Sequence, residues 1–449
     1  MKRIILNLSL ITLILCGCSQ RDLVDTIPHH NNVVSRNAQS IYRYIDQTHP
    51  VKSRKSNVYL CPIIQKGDTV AFLANYENGW ELFSNNTELP MILMKSETGS
   101  FYPGTDLNES PFEIFYKEFV NNLPAQTNKD SELTGLWQIY NSTSDVNTVY
   151  PSSRFVGDAM ERSEWEYTPR GGRLQTKWSQ DGYYNQYTPF FTDRKDVHSD
   201  LGCGAVAVGQ MLYHSNKYFG TPATTVNKAT YNSKTNTYSF SGKDSNIWKL
   251  MDSGEDSSFC TDPEKMKPTA VFLGYIATLI KSEFGLKYGQ GTPAYAKDCA
   301  NELSKQMNIV LNGEFFNSDG VQATLKNGYP VCSHFYYREG NDKLYGHGFL
   351  IDWLKHTHEV WFKVYSSSPK KDEEIDDQEH PEDYGLSLDY YREHYDNISF
   401  EIFDSFDEYW VKMNWGWGGL CDDISINADD SVWKILSYTF NDNYIYTIR

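Results

Sequence analysis

Residues 202–216, GCGAVAVGQMLYHSN, constrain the fold more than any other segment. Small and apolar side chains cover almost every face, which predicts a helix that is buried all round and enclosed by other elements. PTAVFLGYIATLIKSEFG at 268–285 predicts a second buried helix. Strand-like runs follow at YPVCSHFYY, GHGFLIDWL, EVWFKVYS, YWVKMNW and YIYTIR. Residues 174–449 are therefore expected to form an α+β domain in which a buried helix packs against an antiparallel sheet.

The region before this domain is rich in short apolar runs. Between two of them lies Asn78-Gly79, the strongest short-range signal for a hairpin, so residues 56–103 predict an antiparallel sheet. Residues 110–123 carry apolar side chains at helical spacing behind a Ser-Pro start and predict an amphipathic helix. We expect residues 56–173 to form a separate β-rich domain, since the chain is longer than one core usually serves.

A polar stretch separates the two regions. Residues 124–170 contain few apolar runs, and at their end the segment TPRGGRLQTKW (168–178) combines Pro169, Gly171 and Gly172 with basic side chains. This pattern indicates an exposed linker that a protease can cut, or a plain connection between domains.

The segment 1–18 is typical of an export signal, with Lys2 and Arg3 ahead of an apolar stretch that ends in LCGC. Leu-x-Gly-Cys resembles a bacterial lipobox, in which Cys18 is acylated and becomes the first mature residue. The alternative is an ordinary signal that is cleaved without lipidation. We expect residues 19–55 to be a tether, and the protein to be lipid-anchored at the cell envelope or surface, with later release of the mature domain left open.

The charge pattern excludes some partners. A formal net charge of −17 argues against binding to nucleic acid. The 32 tyrosines and 11 tryptophans suit a folded exported protein with many strands. An acidic run at 372–383 indicates a solvated loop, with calcium binding as the alternative.

One cysteine is placed for chemistry. Six cysteines lie beyond the signal, scattered and without a CxxC pair. Cys203 opens the buried helix between Gly202 and Gly204, where unpaired backbone N–H groups and the helix dipole favour a thiolate. A packed, inert thiol is the alternative.

Two further residues fit a nucleophilic mechanism. His347 lies between Gly346 and Gly348 at the start of a strand, where an imidazole base can reach a nucleophile. Asn414 can accept a hydrogen bond from that imidazole and fix its tautomer, while the indoles of Trp415 and Trp417 shield the bond from water. The long separations along the chain are typical of a nucleophile on a helix that faces a base on a distant sheet.

Together, GCGAVAVGQML, GHGFLIDW and VKMNWGWGG resemble the streptopain family of cysteine peptidases, which have a papain-like fold. The resemblance implies that Cys203 is the nucleophile, His347 the base and Asn414 its partner, without a metal or cofactor. The glycines at 202, 346 and 348 would let a substrate backbone approach. It also implies protein or peptide substrates with a hydrophobic residue two positions before the scissile bond.

The same resemblance covers the N-terminal half, which looks like the family's inhibitory propeptide, with processing at 170–177. An insertion at about 355–408 replaces the short hairpin usual in the family, and the loop after Gly419 also departs from the family pattern. For the oxyanion, the Cys203 amide is one donor. Gln180 is our choice for the side-chain donor, and His198 is the alternative.

Three other functions remain open from the residues. The first is a catalytically inactive papain-like surface lipoprotein that acts as a binding module. The second is a metal site at His356 and His358, which are two positions apart on one strand. The third is acyl transfer to an amine instead of water.

Overall fold

The computed structural model describes residues 36–49, 58–102, 110–125, 133, 135–141, 154–220, 229–231, 234–236, 251, 263–339, 343–366, 368–369, 387–418, 421–439 and 444–448. Its helices are Arg36–Thr48 (α1), Pro111–Asn121 (α2), Leu136–Asn141 (α3), Cys203–Phe219 (α4), Pro263–Leu279 (α5), Ala296–Met307 (α6), Ser318–Lys326 (α7), Leu388–His394 (α8) and Asp430–Thr439 (α9). Its strands are Leu60–Gln65 (β1), Asp68–Asn75 (β2), Trp80–Ser84 (β3), Ile92–Ser96 (β4), Arg154–Tyr167 (β5), Ala229–Tyr231 (β6), Lys234–Asn236 (β7), Leu311–Phe315 (β8), Val331–Glu339 (β9), Lys343–Ser366 (β10), Ser368–Pro369 (β11), Tyr395–Asp396 (β12), Ser399–Asn414 (β13), Ser425–Asn427 (β14) and Tyr444–Ile448 (β15).

A single large antiparallel sheet organises the described part of the chain. Its strand order is β1-β2-β3-β4-β14-β13-β10-β9-β15-β8, and β5 also pairs with β10. Leu350 and Ile351 pair with β9 and with β13, so these two strands lie on opposite edges of β10. Further along, β5 replaces β9 on the same edge. The 24-residue strand β10, which carries His347, therefore pairs with β9, β13 and β5.

The sheet runs across the predicted boundary at residue 173. Met94 and Lys95 of β4 pair with Ile426 and Ser425 of β14, and β5 lies along β10 from Leu354 onwards. The ranges 56–173 and 174–449 stay predictions as units, but pairing between strands joins them at these two places.

The expected tether at 19–55 is wrong for its second half, because Arg36–Thr48 is a helix. Ala38, Ile41 and Ile45 recur at helical spacing, and Ile41 is fully buried against the β1–β4 region. The polar residues between them hid this spacing. The apolar stripe is nonetheless wide enough to hold the helix on the sheet.

The expected polar stretch at 124–170 contains the 14-residue strand β5, which the sequence analysis missed. Glu161, Ser163 and Glu164 are exposed, so the segment lacks the apolar run of a buried strand. Pairing with β10 and the ion pair between Arg162 and the buried Glu359 hold it in place. Strand formation here depends on the neighbouring strand more than on intrinsic propensity.

Several local predictions are confirmed. Asn78-Gly79 connects β2 to β3, and Gly79 takes the positive φ of +97° that this turn requires. Helix α2 begins where expected, since the Ser110 side chain accepts a hydrogen bond from the Glu113 N–H. Helix α5 instead starts at Pro263 and carries Pro268 inside it.

The fold class is confirmed as α+β, with the buried helix against an antiparallel sheet. Helix α4 is buried over residues 205–215. It shares a core with Leu273 and Ile276 of α5 on one side and with Leu350 of β10 on the other. This packing holds the first residue of α4 against β10.

Two predictions fall outside the described residues: the export signal with its lipobox, and the acidic run at 372–383. Among the residues that are described, no helix combines the length and the apolar character needed to cross a membrane.

Candidate active site

Cys203 is the first residue of α4, and Gly202 sets its position. Gly202 has φ +86°, a region that side chains other than glycine rarely adopt. A Cβ there would lie 2.3 Å from the Thr292 carbonyl oxygen. The glycine therefore lets the chain turn tightly into the helix and present the thiol at its N-terminus.

The two glycines beside His347 contact this thiol through their backbone. The Gly348 N–H donates to Cys203 Sγ at 3.1 Å, and Sγ lies 3.9 Å from the Gly346 carbonyl oxygen. A Cβ on Gly348 would lie 3.5 Å from Gly204 Cα, so strand and helix approach closely here. In this state the glycines contact the nucleophile, and contact with substrate stays a prediction.

The ring of His347 is buried, with 8% of the residue exposed. Its Nε2 lies 2.8 Å from the Trp415 carbonyl oxygen, an acceptor only, so Nε2 carries the proton. The ring centroid lies 6.0 Å from that of Trp415 and 5.9 Å from that of Phe335. The imidazole is thus held by a carbonyl and an aromatic cage, and no hydrogen bond joins it to Cys203.

Burial favours the neutral form of both groups in this arrangement. Burial raises the pKa of the Cys203 thiol, although the N–H groups of Gly348 and Gly204 act in the opposite direction. Burial lowers the pKa of His347 to about 4, with the Trp415 carbonyl opposing this shift. Burial therefore opposes the expected thiolate–imidazolium pair here, because removal of both groups from water outweighs the effect of the helix N-terminus.

Asn414 is buried but does not bond to His347, contrary to expectation. Its Oδ1 accepts from Gln210 Nε2 at 3.0 Å and from the Gly416 N–H at 3.1 Å. Its Nδ2 donates to the Thr176 carbonyl at 3.0 Å. The amide is used to fix the turn before Trp417, and its role as partner of the imidazole stays a prediction.

Helix α2 packs onto the aromatic cage from the N-terminal region. The ring centroid of Phe115 lies 5.5 Å from that of Trp415 and 5.8 Å from that of Phe335. Phe112 adds an edge contact to Trp415 at 6.0 Å. A segment far from His347 in the sequence therefore contacts the aromatic cage around its ring.

Cys203 and His347 open into one cleft of about 520 Å³. Gln180 and Trp417 line it, as does Ile114 of α2. The cleft also has lining residues that the sequence analysis did not single out: Tyr295, Cys299, Cys332, His334 and Tyr446. The β9 and β15 residues among them lie on strands that pair beside His347. The pairing of β9 and β15 would have indicated these residues, but the sequence does not reveal which strands pair.

The two side-chain candidates for the oxyanion site differ in position. Gln180 lines the cleft, and its carbonyl accepts from the Leu201 N–H at 2.9 Å, just ahead of the nucleophile. His198 is not among the cleft residues and bonds to the Thr188 carbonyl at 2.6 Å. The structure thus favours Gln180, whose role as donor stays a prediction.

His356 and His358 do lie on one side of β10, as their spacing predicts. Both contact the same carboxylate oxygen of Asp407, at 2.6 and 3.0 Å. Within the described ranges, no group of three or more histidine, cysteine or acidic residues is arranged to hold a metal ion. These contacts are hydrogen bonds between side chains of strands β10 and β13.

A nucleophilic cysteine at the start of a buried helix, facing a histidine on an antiparallel sheet, defines the class of cysteine peptidases. Residues 178–366, which include Cys203 and His347, match the model of the Peptidase C10 family. This match confirms the resemblance to streptopain and shows that the protein is a cysteine peptidase. The match ends before Asn414. It does not favour an inactive binding module.

Two solved structures from Prevotella intermedia are similar to the chain. One is a fragment of prointerpain A with its cysteine replaced by alanine, at 16% identity and a TM-score of 0.48, covering 87% of this chain and 98% of that one. The other is active wild-type interpain A, a cysteine protease, at 16% identity and a TM-score of 0.39, covering 63% and 94%. Comparison with curated proteins gives no match.

Proposed function

We propose that the chain is the latent precursor of an exported endopeptidase that cleaves peptide bonds through Cys203 and His347. The observation that carries this proposal is their shared cleft, together with the contact of helix α2 on the cage around the imidazole. Residues 56–173 then act as the inhibitory propeptide. Protein or peptide substrates follow from the peptidase class.

In the active state, His347 turns from the Trp415 carbonyl towards Cys203 and takes the thiol proton. The thiolate attacks the peptide carbonyl, and the Cys203 amide and Gln180 stabilise the oxyanion, where one donor is worth about 2.7–4 kcal/mol of barrier. The His347 imidazolium protonates the leaving amine, and water then releases the acyl group with His347 as base. Transfer to another amine uses the same intermediate.

The latent state follows from three features of the cleft. Ile114 occupies part of its wall, the imidazole is bonded to a carbonyl, and burial favours the neutral form of both reacting groups. Removal of helix α2 exposes the cage to water, which lowers the desolvation that holds Cys203 and His347 uncharged. Processing therefore allows the ion pair to form.

Alkylation of Cys203 by iodoacetamide tests this change of state. In the precursor, the raised pKa of the thiol predicts slow alkylation at pH 7 that accelerates about tenfold per pH unit towards that pKa. In the processed enzyme we expect fast alkylation that is nearly independent of pH from about 5 to 8, as for a thiolate with a pKa of about 3.5–7.5. The rate is read by peptide mapping of each cysteine.

Cys421 supplies an internal control for this experiment. It lies in the loop after Trp417, and burial raises its pKa to about 12, so its alkylation should be slow in both forms. A processed enzyme whose Cys203 keeps the pH profile of the precursor would contradict the proposed catalytic pair.

We further propose that Cys18 carries a lipid and that the precursor is held at the cell envelope. The LCGC sequence at its position supports this proposal. Metabolic labelling with a radioactive fatty acid should mark the full-length chain and fail with Cys18→Ala, while Cys16→Ala still takes up label. Equal labelling of the two variants would exclude acylation at Cys18.

A further inference from the structure

Arg173 lies at the start of the catalytic region and bonds to three acidic residues of it. Its Nε donates to Asp352 Oδ1 at 3.0 Å, and its Nη2 donates to the Asp422 carbonyl at 2.7 Å. Its Nη1 donates to Asp423 Oδ1 at 3.1 Å. One guanidinium thus joins strand β10 to the loop that follows Trp417, by directed bonds that a lysine cannot reproduce.

Asp352 is fully buried and lies on β10, shortly after His347. Its second carboxylate oxygen accepts from the Leu174 N–H at 2.9 Å. Burial raises the pKa of Asp352, and Arg173 is the cation that opposes this shift. A buried carboxylate is tolerated when it is paired and hydrogen-bonded, and this one obtains both from residues 173 and 174.

The bonds of Arg173 lead to the imidazole in a short series of contacts. The Asp422 carboxylate accepts from the Trp415 N–H at 3.0 Å. The carbonyl of Trp415 in turn accepts from His347 Nε2. Through Asp422, Arg173 therefore holds the residue against whose carbonyl the imidazole ring rests.

We propose that Arg173 is a positioning residue for the catalytic histidine, and that it stays in the processed chain. This inference rests on the proposed function. Arg173 fixes Asp422, and through it Trp415, relative to β10, so that the Trp415 carbonyl has a defined position when His347 turns after the propeptide leaves. It does not contact the substrate.

We expect the cleaved bond to lie before Arg173. The next residues are built into the catalytic region: Thr176 is buried and bonds to Asn414, and Trp178 is 1% exposed. Gly171 and Gly172 form a turn at the surface with φ of +87° and +91°. A peptidase can therefore reach the turn at 170–172 without breaking the Arg173 contacts.

Kinetics of processed variants test the positioning role. The Arg173→Met and Arg173→Lys enzymes are compared with Lys177→Met, which removes an exposed cation from the same segment. We expect Arg173→Met to lower kcat about 10²-fold, as for a misplaced catalytic group, with KM close to that of the wild type. Arg173→Lys should recover part of kcat, and Lys177→Met should match the wild type.

Folding is separated from positioning by a second variant. Arg173→Met combined with Asp352→Asn removes the buried charge and keeps the acceptor for Leu174, so its melting temperature should return towards that of the wild type while kcat stays low. A kcat of Arg173→Met equal to that of Lys177→Met would overturn the inference. So would an active processed chain whose N-terminal sequence starts after Arg173.

The outcomes also distinguish this inference from the proposed function. A processed wild-type enzyme without thiol-dependent hydrolysis would refute the function and the inference with it. A wild-type enzyme that hydrolyses peptides, beside an Arg173→Met enzyme with the same kcat, would refute the positioning role alone.

Discussion

Cys203→Ala should abolish peptide hydrolysis, lowering kcat about 10⁴- to 10⁶-fold, and leave the precursor uncut at 170–172. Losses of this size follow removal of a member of a catalytic unit, whose residues act together. The substitution removes one sulfur that lines the cleft, so the fold should be kept. Hydrolysis of a fluorogenic peptide and N-terminal sequencing of the incubated precursor measure the two effects.

The matched control is Cys421→Ala, which removes a partly buried thiol outside the cleft. It should process and hydrolyse at the wild-type rate. A Cys203→Ala protein that still cleaves peptides at the rate of this control would exclude Cys203 as nucleophile. Processing of Cys203→Ala at the normal site would show instead that another peptidase makes the cut.

The sequence predicted the positions of the reacting groups because local chemistry fixes them. Cys203 must begin a helix, since Gly202 precedes it and a buried apolar helix follows. His347 must lie on a strand beside small residues, and the close approach of Gly348 to Gly204 depends on that. These features are set by residues next to one another in the chain, so a pattern of a few letters is enough to reveal them.

The state of the site could not be predicted in the same way. The direction of the His347 ring depends on Trp415, and the position of Trp415 depends on Phe115 and on Asp422. The contacts of His347 and Phe115 with Trp415 join segments that are far apart in the sequence. Whether the imidazole bonds to a carbonyl or to Asn414 is therefore decided by packing. The same limit hid strand β5, whose pairing partner lies much later in the chain.

In the proposed function, latency depends on helix α2 and not on the strands that join the N-terminal region to the sheet. The β5–β10 pairing involves residues of β10 after Ile351, and the β4–β14 pairing lies on the far side of β13, so neither touches the ring of His347. Cleavage at 170–172 breaks one peptide bond and none of these hydrogen bonds. The contacts of Phe112, Ile114 and Phe115 must therefore be lost before the site opens.

Phe115→Ala should weaken the latent state without processing. Phe115 is 1% exposed and packs on Trp415 and Phe335, so its truncation should cost about 3–5 kcal/mol of folding free energy. Part of that loss of free energy destabilises only the closed, latent arrangement of the site. Each step of about 1.4 kcal/mol is a tenfold rise in the open population. Alkylation of Cys203 in the unprocessed chain at pH 7 should then rise about tenfold or more.

Urea unfolding of Phe115→Ala in the Cys203→Ala background measures the change in folding free energy, because a precursor without Cys203 should not cleave itself. The control is Phe400→Ala, an exposed aromatic residue of β13, for which we expect a change of about 0.5 kcal/mol and no change in alkylation. If Phe115→Ala lost stability while Cys203 stayed as slow to react as in the wild type, helix α2 would be a structural support and not the cause of latency. If Cys203 is alkylated faster in Phe115→Ala and not in the control, helix α2 holds the imidazole away from the thiol. The reason is that the Phe115 ring contacts the aromatic cage and does not contact Cys203.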